Sequence, residues 1–453
     1  MGQRNRRRRP RTTDEAATVE MNVLAAAGAL RRGDAAAAIR HLGRLGIGDA
    51  GPCSPGFPTM VAQVVERLVE RSIEAAWERG WQPADLARAV RRRWSAGHVT
   101  PLAAAIASQH RRYGAATVDP TWREQLRAIG ADPWSPPEPA SASAQLSLDG
   151  RSRRCDEADP RLLVDVLSVL AWLPTLPRLG PLPGEGRTSN GMADAAVDAR
   201  VLERVRALLA KAESTTFADE ADSFTAKAQE LMARHSVDRA MVDGAGTEAG
   251  PRGRRIGVDD PYARAKSLLL GEVAAANRCR AVWTSGLGFS TVFGHETDLD
   301  GVELIHTSLL VQAVAAMTLT DPHVDRHGRS STRSFRSAFL MAYAGRIGQR
   351  LRASAAAAET AAASEHGADL LPVLADRHQA VEDAVGATFP RLHTQSISAT
   401  NGAGWAAGTA AAELATLAPF QAMEPGVAGG AGTPRPRADP RRLGSHGRGS
   451  AGC

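Results

Sequence analysis

The chain has 453 residues, a formal net charge of +6 and a pI near 9.6, with length enough for two or three domains. The basicity is segregated: residues 1–13 hold six arginines and no acid, and residues 431–453 hold five arginines and one Asp, so the remainder is net −4. Cys53, Cys155, Cys279 and Cys453 form no C-x-x-C pair, which argues against a disulfide framework or zinc ribbon, and no 18-residue apolar run marks a membrane span.

The first segment, 1–18, is an arginine-rich tail whose RNRRRRPR run, with Arg6, Arg7, Arg8 and Arg9, can bind phosphates by counterion release or simply stay disordered and solubilising. Asp14, Glu15 and Glu20 follow it and break any export-signal core, so the expectation is a soluble cytoplasmic protein without a membrane partner. Residues 19–132 read as a helical region. Val61, Val65, Leu68, Val69, Ile73 and Trp77 make one amphipathic stripe, and Leu86, Ala89, Val90 and Trp94 another, with Gly80 as punctuation between them. Arg91, Arg92 and Arg93 beside Trp94 suit either a nucleic-acid face or the negative end of a helix dipole. Residues 133–195 read as a Pro/Ser/Gly-rich linker containing one short apolar helix, Leu162 to Trp172.

Residues 196–244 form a predicted helical hairpin. Val201, Val205, Leu208, Leu209 and Ala212 line one helix; Phe217, Ala221, Phe224, Ala228, Leu231 and Met232 line the second. Thr216 with Asp219 three residues on resembles a capping box, and Ser236 with Asp238 reads as the start of a short third helix ending near Gly244. Only three lysines occur in the chain, and two of them, Lys211 and Lys227, fall in this hairpin. The runs LLAKAEST (208–215) and DEADSFTAKAQELMARHSVD (219–238) are similar to the family known as domain of unknown function 2786, found in bacterial and phage proteins. With SFRSAFLMAYAGRIGQRL (334–351) and the closing GAGWAAGTAAAEL run, the resemblance spans about 201–417. It implies a fold and a neighbourhood, and no mechanism.

After a second predicted linker, Gly244 to Gly257, residues 259–418 read as a small mixed α+β domain. The pattern predicts a helix over 261–278, a β-hairpin from Arg280 to Trp283 and Ser290 to Gly294, and a helix through Leu299, Val302, Ile305, Leu309 and Val314. A polar loop follows (321–333), then a one-sided stripe of Phe335, Phe339, Tyr343, Ile347 and Leu351. Short strands are expected at Leu370 to Ala375 and at 393–399, with helices over 378–389 and 404–416; residues 419–453 are a Gly/Pro/Arg-rich tail read as disordered. The fold class is therefore α+β: a helical N-terminal region, a helical hairpin, a small mixed domain and basic tails.

Three groups of residues could carry chemistry. His295, Glu296, Asp298, His306, His323 and His327 supply ligand types for a divalent metal, although no H-E-x-x-H on a helix occurs, and surface and capping roles account for the same residues. Gly402-Ala403-Gly404-Trp405-Ala406-Ala407 satisfies G-x-G-x-x-A, but no second strand follows to carry Glu424 as a ribose acid, so close helix packing is the simpler reading. Arg333, Arg336, Arg346, Arg350 and Arg352 flank the Phe335 stripe and could meet phosphates or water. No P-loop, nucleophile elbow or partnered Cys nucleophile is present. The expected function is a non-enzymatic nucleic-acid-associated or adaptor protein, with DNA or RNA as partner of the basic tails. A metal-dependent hydrolase with a divalent cation as cofactor, and a protein–protein scaffold, are the alternatives.

Overall fold

Three helix starts in the N-terminal half are written into X-Pro steps. Pro fits the first helical turn because its missing N–H would go unused there. At α6 (Pro120–Ala128) and α7 (Pro160–Leu170), Asp119 and Asp159 accept from the backbone N–H groups of Thr121 and Arg161, each at 2.9 Å. At α4 (Pro83–Arg93), Asp85 in the first turn accepts from the Gln82 N–H at 3.1 Å. The computed structural model describes residues 10–47, 57–134, 159–186, 192–215, 218–243, 250–319, 330–366, 370–393 and 401–414. The tails that contain Arg6 to Arg9 and residues 419–453 lie outside these, as do His323, His327, Thr216 and Phe217.

The N-terminal helices are α1 (Pro10–Arg32), α2 (Ala35–Arg44), α3 (Phe57–Glu78), α4, α5 (Val99–His110), α6 and α7. The predicted stripe of α3 is buried from Val61 through Trp77 and packs with Leu86, Leu102, Ile106 and Leu126 in one core. Gly80 turns the chain between α3 and α4 with φ +83°, and a Cβ there would stand 2.3 Å from the Leu176 carbonyl oxygen, so only glycine fits. Residues 160–186, expected within a linker, belong to this core. Leu163, Val164, Leu167, Leu170, Leu173 and Leu176 are buried in it, the Trp81 indole donates to the Pro174 carbonyl at 2.7 Å, and Gly184 and Gly186 donate to the Thr117 carbonyl. A Pro-rich stretch reads as linker by composition, yet its free carbonyls suit it to bind a bundle side chain by side chain.

The hairpin consists of α8 (Met192–Ser214) and α9 (Ala218–Asp243). Val205, Leu209, Ala228 and Met232 join the core of the C-terminal domain, so the hairpin covers that domain. No third helix begins at Ser236: α9 runs on through it, because Val237 and Ala240 pack with Ala362, Leu370 and Leu374. Burial against two further helices overrides the local capping signal.

The sheet has three antiparallel strands in the order β1-β3-β2: β1 (Arg252–Gly257), β2 (Arg280–Thr284) and β3 (Phe289–Gly294). β2 and β3 form the expected hairpin, turned at Gly286 and Gly288 with positive φ. The β1 segment, expected as linker, pairs along β3 with Arg254 opposite Val292. Against the sheet stand α10 (Ala263–Ala276), α11 (Glu296–Thr318) and α13 (Leu370–Thr388), while α12 (Thr332–His366) packs on α10 and α14 (Gly402–Leu414) on α12. The short strand expected at Leu370 to Ala375 is the first turns of α13, where Leu370 and Leu374 are buried four residues apart, a helical spacing. The strand expected at 393–399 falls almost wholly outside the described residues. Phe335, Phe339, Tyr343, Ile347 and Leu351 of α12 are all buried as their spacing predicts, each large side chain contributing about 1.5–3 kcal/mol. By length and composition α11 could cross a membrane; here Leu299, Val302, Ile305, Leu309 and Ala313 lie in the domain core.

Candidate functional site

Among the described residues, the metal-ligand candidates His295, Glu296, Asp298 and His306 are dispersed along α11. His295 occupies the N-cap position of α11, where its carbonyl accepts from the Leu299 N–H. Glu296 pairs with Arg254 at 2.6 Å, and Arg254 also meets Asp300 at 2.6 Å and Glu303 at 3.2 Å. These carboxylates outweigh the cost of burying the guanidinium and raise the Arg254 pKa well above its ordinary value. Asp298 points to the other side, 3% exposed, with Arg278 at 3.7 Å and Arg377 at 4.0 Å. His306 is buried two to three turns further along α11, and burial pushes its pKa down to about 4, the Lys266 ammonium adding to the same direction. Among the described residues no group of three His, Cys, Asp or Glu side chains is arranged to hold a metal. A carboxylate already neutralised by Arg at 2.6 Å is a poor additional ligand, which weighs against Glu296 in the role expected from sequence.

Glu296 and Arg254 instead line a cavity of about 210 Å³ with Gln82, Asp119, Thr121 and Arg252, where the helical bundle faces β1. Arg252 lies 3.8 Å from Asp119 and 4.0 Å from Glu296. The walls are charge-compensated, which makes the cavity a seam between two halves of the fold.

The G-x-G-x-x-A run is a packing device. α14 lies along α12 so closely that a Cβ on Gly404 would stand 2.3 Å from the Phe335 carbonyl oxygen, and one on Gly408 2.1 Å from that of Phe339. The matched order of these approaches makes the two helices parallel. Both N-termini therefore sit at one end of the pair, joined by Asn401, which donates to Ser334 Oγ at 3.3 Å and accepts from the Gly404 N–H at 2.9 Å.

Two helix dipoles present their positive ends side by side. From Ser330 to Ala358 the sequence contains five arginines and no acid, and residues 401–412 contain no charge at all. Arg333 is exposed and Arg336 half-buried, and neither has a carboxylate partner among the described residues. Trp405, 48% exposed, follows Gly404 directly. The other arginines expected on this face are engaged: Arg346 pairs with Glu413 at 2.6 Å, Arg350 donates to the Ala412 carbonyl, and Arg352 pairs with Glu272. Three of the four α4 arginines are spent on architecture too, Arg88 on Asp259, Arg92 on Asp260 and Arg93 on the Leu30 carbonyl, while Arg91 is exposed.

The hairpin's most distinctive polar residues bind inward. Gln229 donates to Asn277 Oδ1 at 3.0 Å in the interior, and Asn277 in turn donates to the Val273 carbonyl at 2.8 Å. Gln312 of α11 reaches Thr225 at 3.5 Å. The two lysines stay at the surface of the hairpin, Lys211 over the Phe224 ring at 5.6 Å and Lys227 beside Glu230 at 2.8 Å. Sequence patterning missed Gln229 and Asn277 as partners because 48 residues separate them. No curated protein and no solved structure matches the chain. One family does: residues 200–239, the body of the α8–α9 hairpin, match the model described as protein of unknown function (DUF2786).

Proposed function

We propose that this chain is a nucleic-acid-associated protein that holds single-stranded phosphate backbone at the shared N-terminal end of α12 and α14, with the Arg6–Arg9 tail adding sequence-independent attraction. The observation that carries the reading is exposed Arg333 with half-buried Arg336, without carboxylate partners among the described residues, next to exposed Trp405 at two parallel helix N-termini. Arginine neutralises and forks onto phosphate, helix N-termini offer backbone N–H groups, and an exposed indole stacks on any base. Such a site favours a flexible single strand, whose bases can turn out to meet the ring.

Fluorescence anisotropy with a labelled single strand of about 20 nucleotides at low salt tests it. Full-length protein should bind; deleting residues 1–13 and, separately, changing Arg333 and Arg336 to Gln should each weaken binding by about tenfold or more. No binding by the full-length chain, or binding unaffected by both changes, would overturn the reading.

A further inference from the structure

A second site lies in the N-terminal bundle, where α4 ends. There we infer that Ser95, His98 and Asp165 form a nucleophilic triad able to accept an acyl group from a carboxylic ester, an activity independent of nucleic-acid binding. Ser95 Oγ stands 2.9 Å from His98 Nδ1, and His98 Nε2 stands 3.3 Å from Asp165 Oδ2. A carboxylate only accepts, so His98 Nε2 carries the proton and donates to Asp165. This leaves Nδ1 as a lone-pair acceptor for the Ser95 hydroxyl. The ring nitrogens have exchanged places relative to the usual triad, while the roles are the same.

The triad is held by its surroundings. The Asp165 side chain is 9% exposed and that of His98 14%. The His98 ring stacks on Trp94 with centroids 5.6 Å apart and planes 20° from parallel. The Trp94 indole donates to the Asp165 backbone carbonyl at 2.9 Å, clamping α7 to the end of α4. Ser95 itself is exposed. A serine that merely capped the 3₁₀ turn Ala96–His98 would bond backbone N–H groups; Ser95 makes no such bond and turns its hydroxyl to His98.

In the reaction Ser95 Oγ attacks the ester carbonyl carbon as its proton passes to His98 Nδ1. The tetrahedral oxyanion collapses, the bond to the alcohol oxygen breaks, and His98 returns the proton to that alcohol. Water then attacks the acyl-serine, losing its proton to His98 Nδ1; the bond from Ser95 Oγ to the acyl carbon breaks, His98 returns the proton to Ser95 Oγ, and the carboxylic acid leaves and ionises. Asp165 is a positioning residue that fixes the ring tautomer.

The test is covalent labelling of the full-length protein by a fluorophosphonate, read by intact mass and peptide mapping, beside hydrolysis of p-nitrophenyl acetate. A single adduct on Ser95 is expected. It should be absent in Ser95→Ala and slowed about 100-fold or more in His98→Gln, the usual range for a lost general base. Asp165→Asn should flatten the pH dependence of labelling while circular dichroism stays unchanged. No adduct on Ser95, equal labelling of His98→Gln, or an unaltered pH profile in Asp165→Asn would each overturn the assignment.

Discussion

Arg255 of β1 donates to Asp85 Oδ2 of α4 at 2.7 Å, 170 residues away in the chain, and the two side chains are 2% and 6% exposed. The same guanidinium donates to the carbonyls of Gly80 and Pro177 and lies 5.4 Å from the Phe289 ring centroid. Asp85 also holds the first turn of α4. Burial alone raises the Asp85 pKa, and Arg255 opposes that shift. One ion pair thus ties the helical bundle, the segment after α7 and the sheet together.

Removing one partner strands the other charge in the interior. Arg255→Ala should lower the unfolding free energy by about 3–5 kcal/mol, read from urea midpoints. The double change Asp85→Leu with Arg255→Met should recover part of that loss, since it leaves no unpaired charge although the Gln82 N–H and the Gly80 and Pro177 carbonyls lose their partners. A single variant within about 1 kcal/mol of the parent would show that the pair does not hold the halves together.

The hairpin is pinned by a buried amide pair. In Gln229→Ala the buried Asn277 carbonyl oxygen loses its donor, at a cost of about 1–3 kcal/mol. Hydrogen exchange should then quicken across α8 and α9 ahead of α10. Unchanged protection would contradict the inward role given to this residue.

At Gly408 no side chain has room. Gly408→Ala should push α14 away from α12, and limited proteolysis should release the C-terminal segment after Glu413 in fragments not seen for the parent. Trp405 sits on the displaced helix, so the same variant should also weaken strand binding. An identical digestion pattern would refute the close packing.

Two buried histidines make stability pH-dependent. Burial pushes His110 down to about 4 and His306 likewise to about 4, against about 6.5 in an unfolded chain. His110 Nδ1 donates to the Ile106 carbonyl and Nε2 accepts from Trp122, so a second ring proton would also break that bond. Between about pH 6.5 and about 4 the unfolded chain binds protons that the folded chain refuses. Stability is therefore complete above about 6.5, falls through that window by about 3 kcal/mol per histidine, and levels off below about 4. His306→Gln should halve the fall measured by urea midpoints at stepped pH; an unaltered slope would remove His306 as a contributor.

Amphipathic stripes made α3, α4, α11 and α12 legible in the sequence, because one face of each is apolar at helical spacing and that face is buried. The β2–β3 hairpin was equally plain. β1 was not. RGRRIG offers arginines and glycines where a strand reader wants alternation, and it is a strand because distant acids meet each arginine: Asp119 for Arg252, Glu296 and Asp300 for Arg254, Asp85 for Arg255. The same long-range pairing decided the sites. Glu296 and Asp298 read as ligands while their arginines were out of view, and Ser95 with His98 gave no signal until α7 brought Asp165 across 67 residues. Gly404 and Gly408, in contrast, were readable as packing residues from their spacing alone.

The central claim is that the α12–α14 end binds phosphate. It is tested most directly by the salt dependence of single-strand affinity, with full-length protein compared with the Arg333→Gln, Arg336→Gln variant between roughly 50 and 200 mM salt, the range over which such attraction is strongly screened. The account predicts a straight line of log K against log salt whose slope becomes shallower by about 1 to 2 in the variant, about 0.7 for each phosphate no longer neutralised. Equal slopes for the two proteins would contradict it.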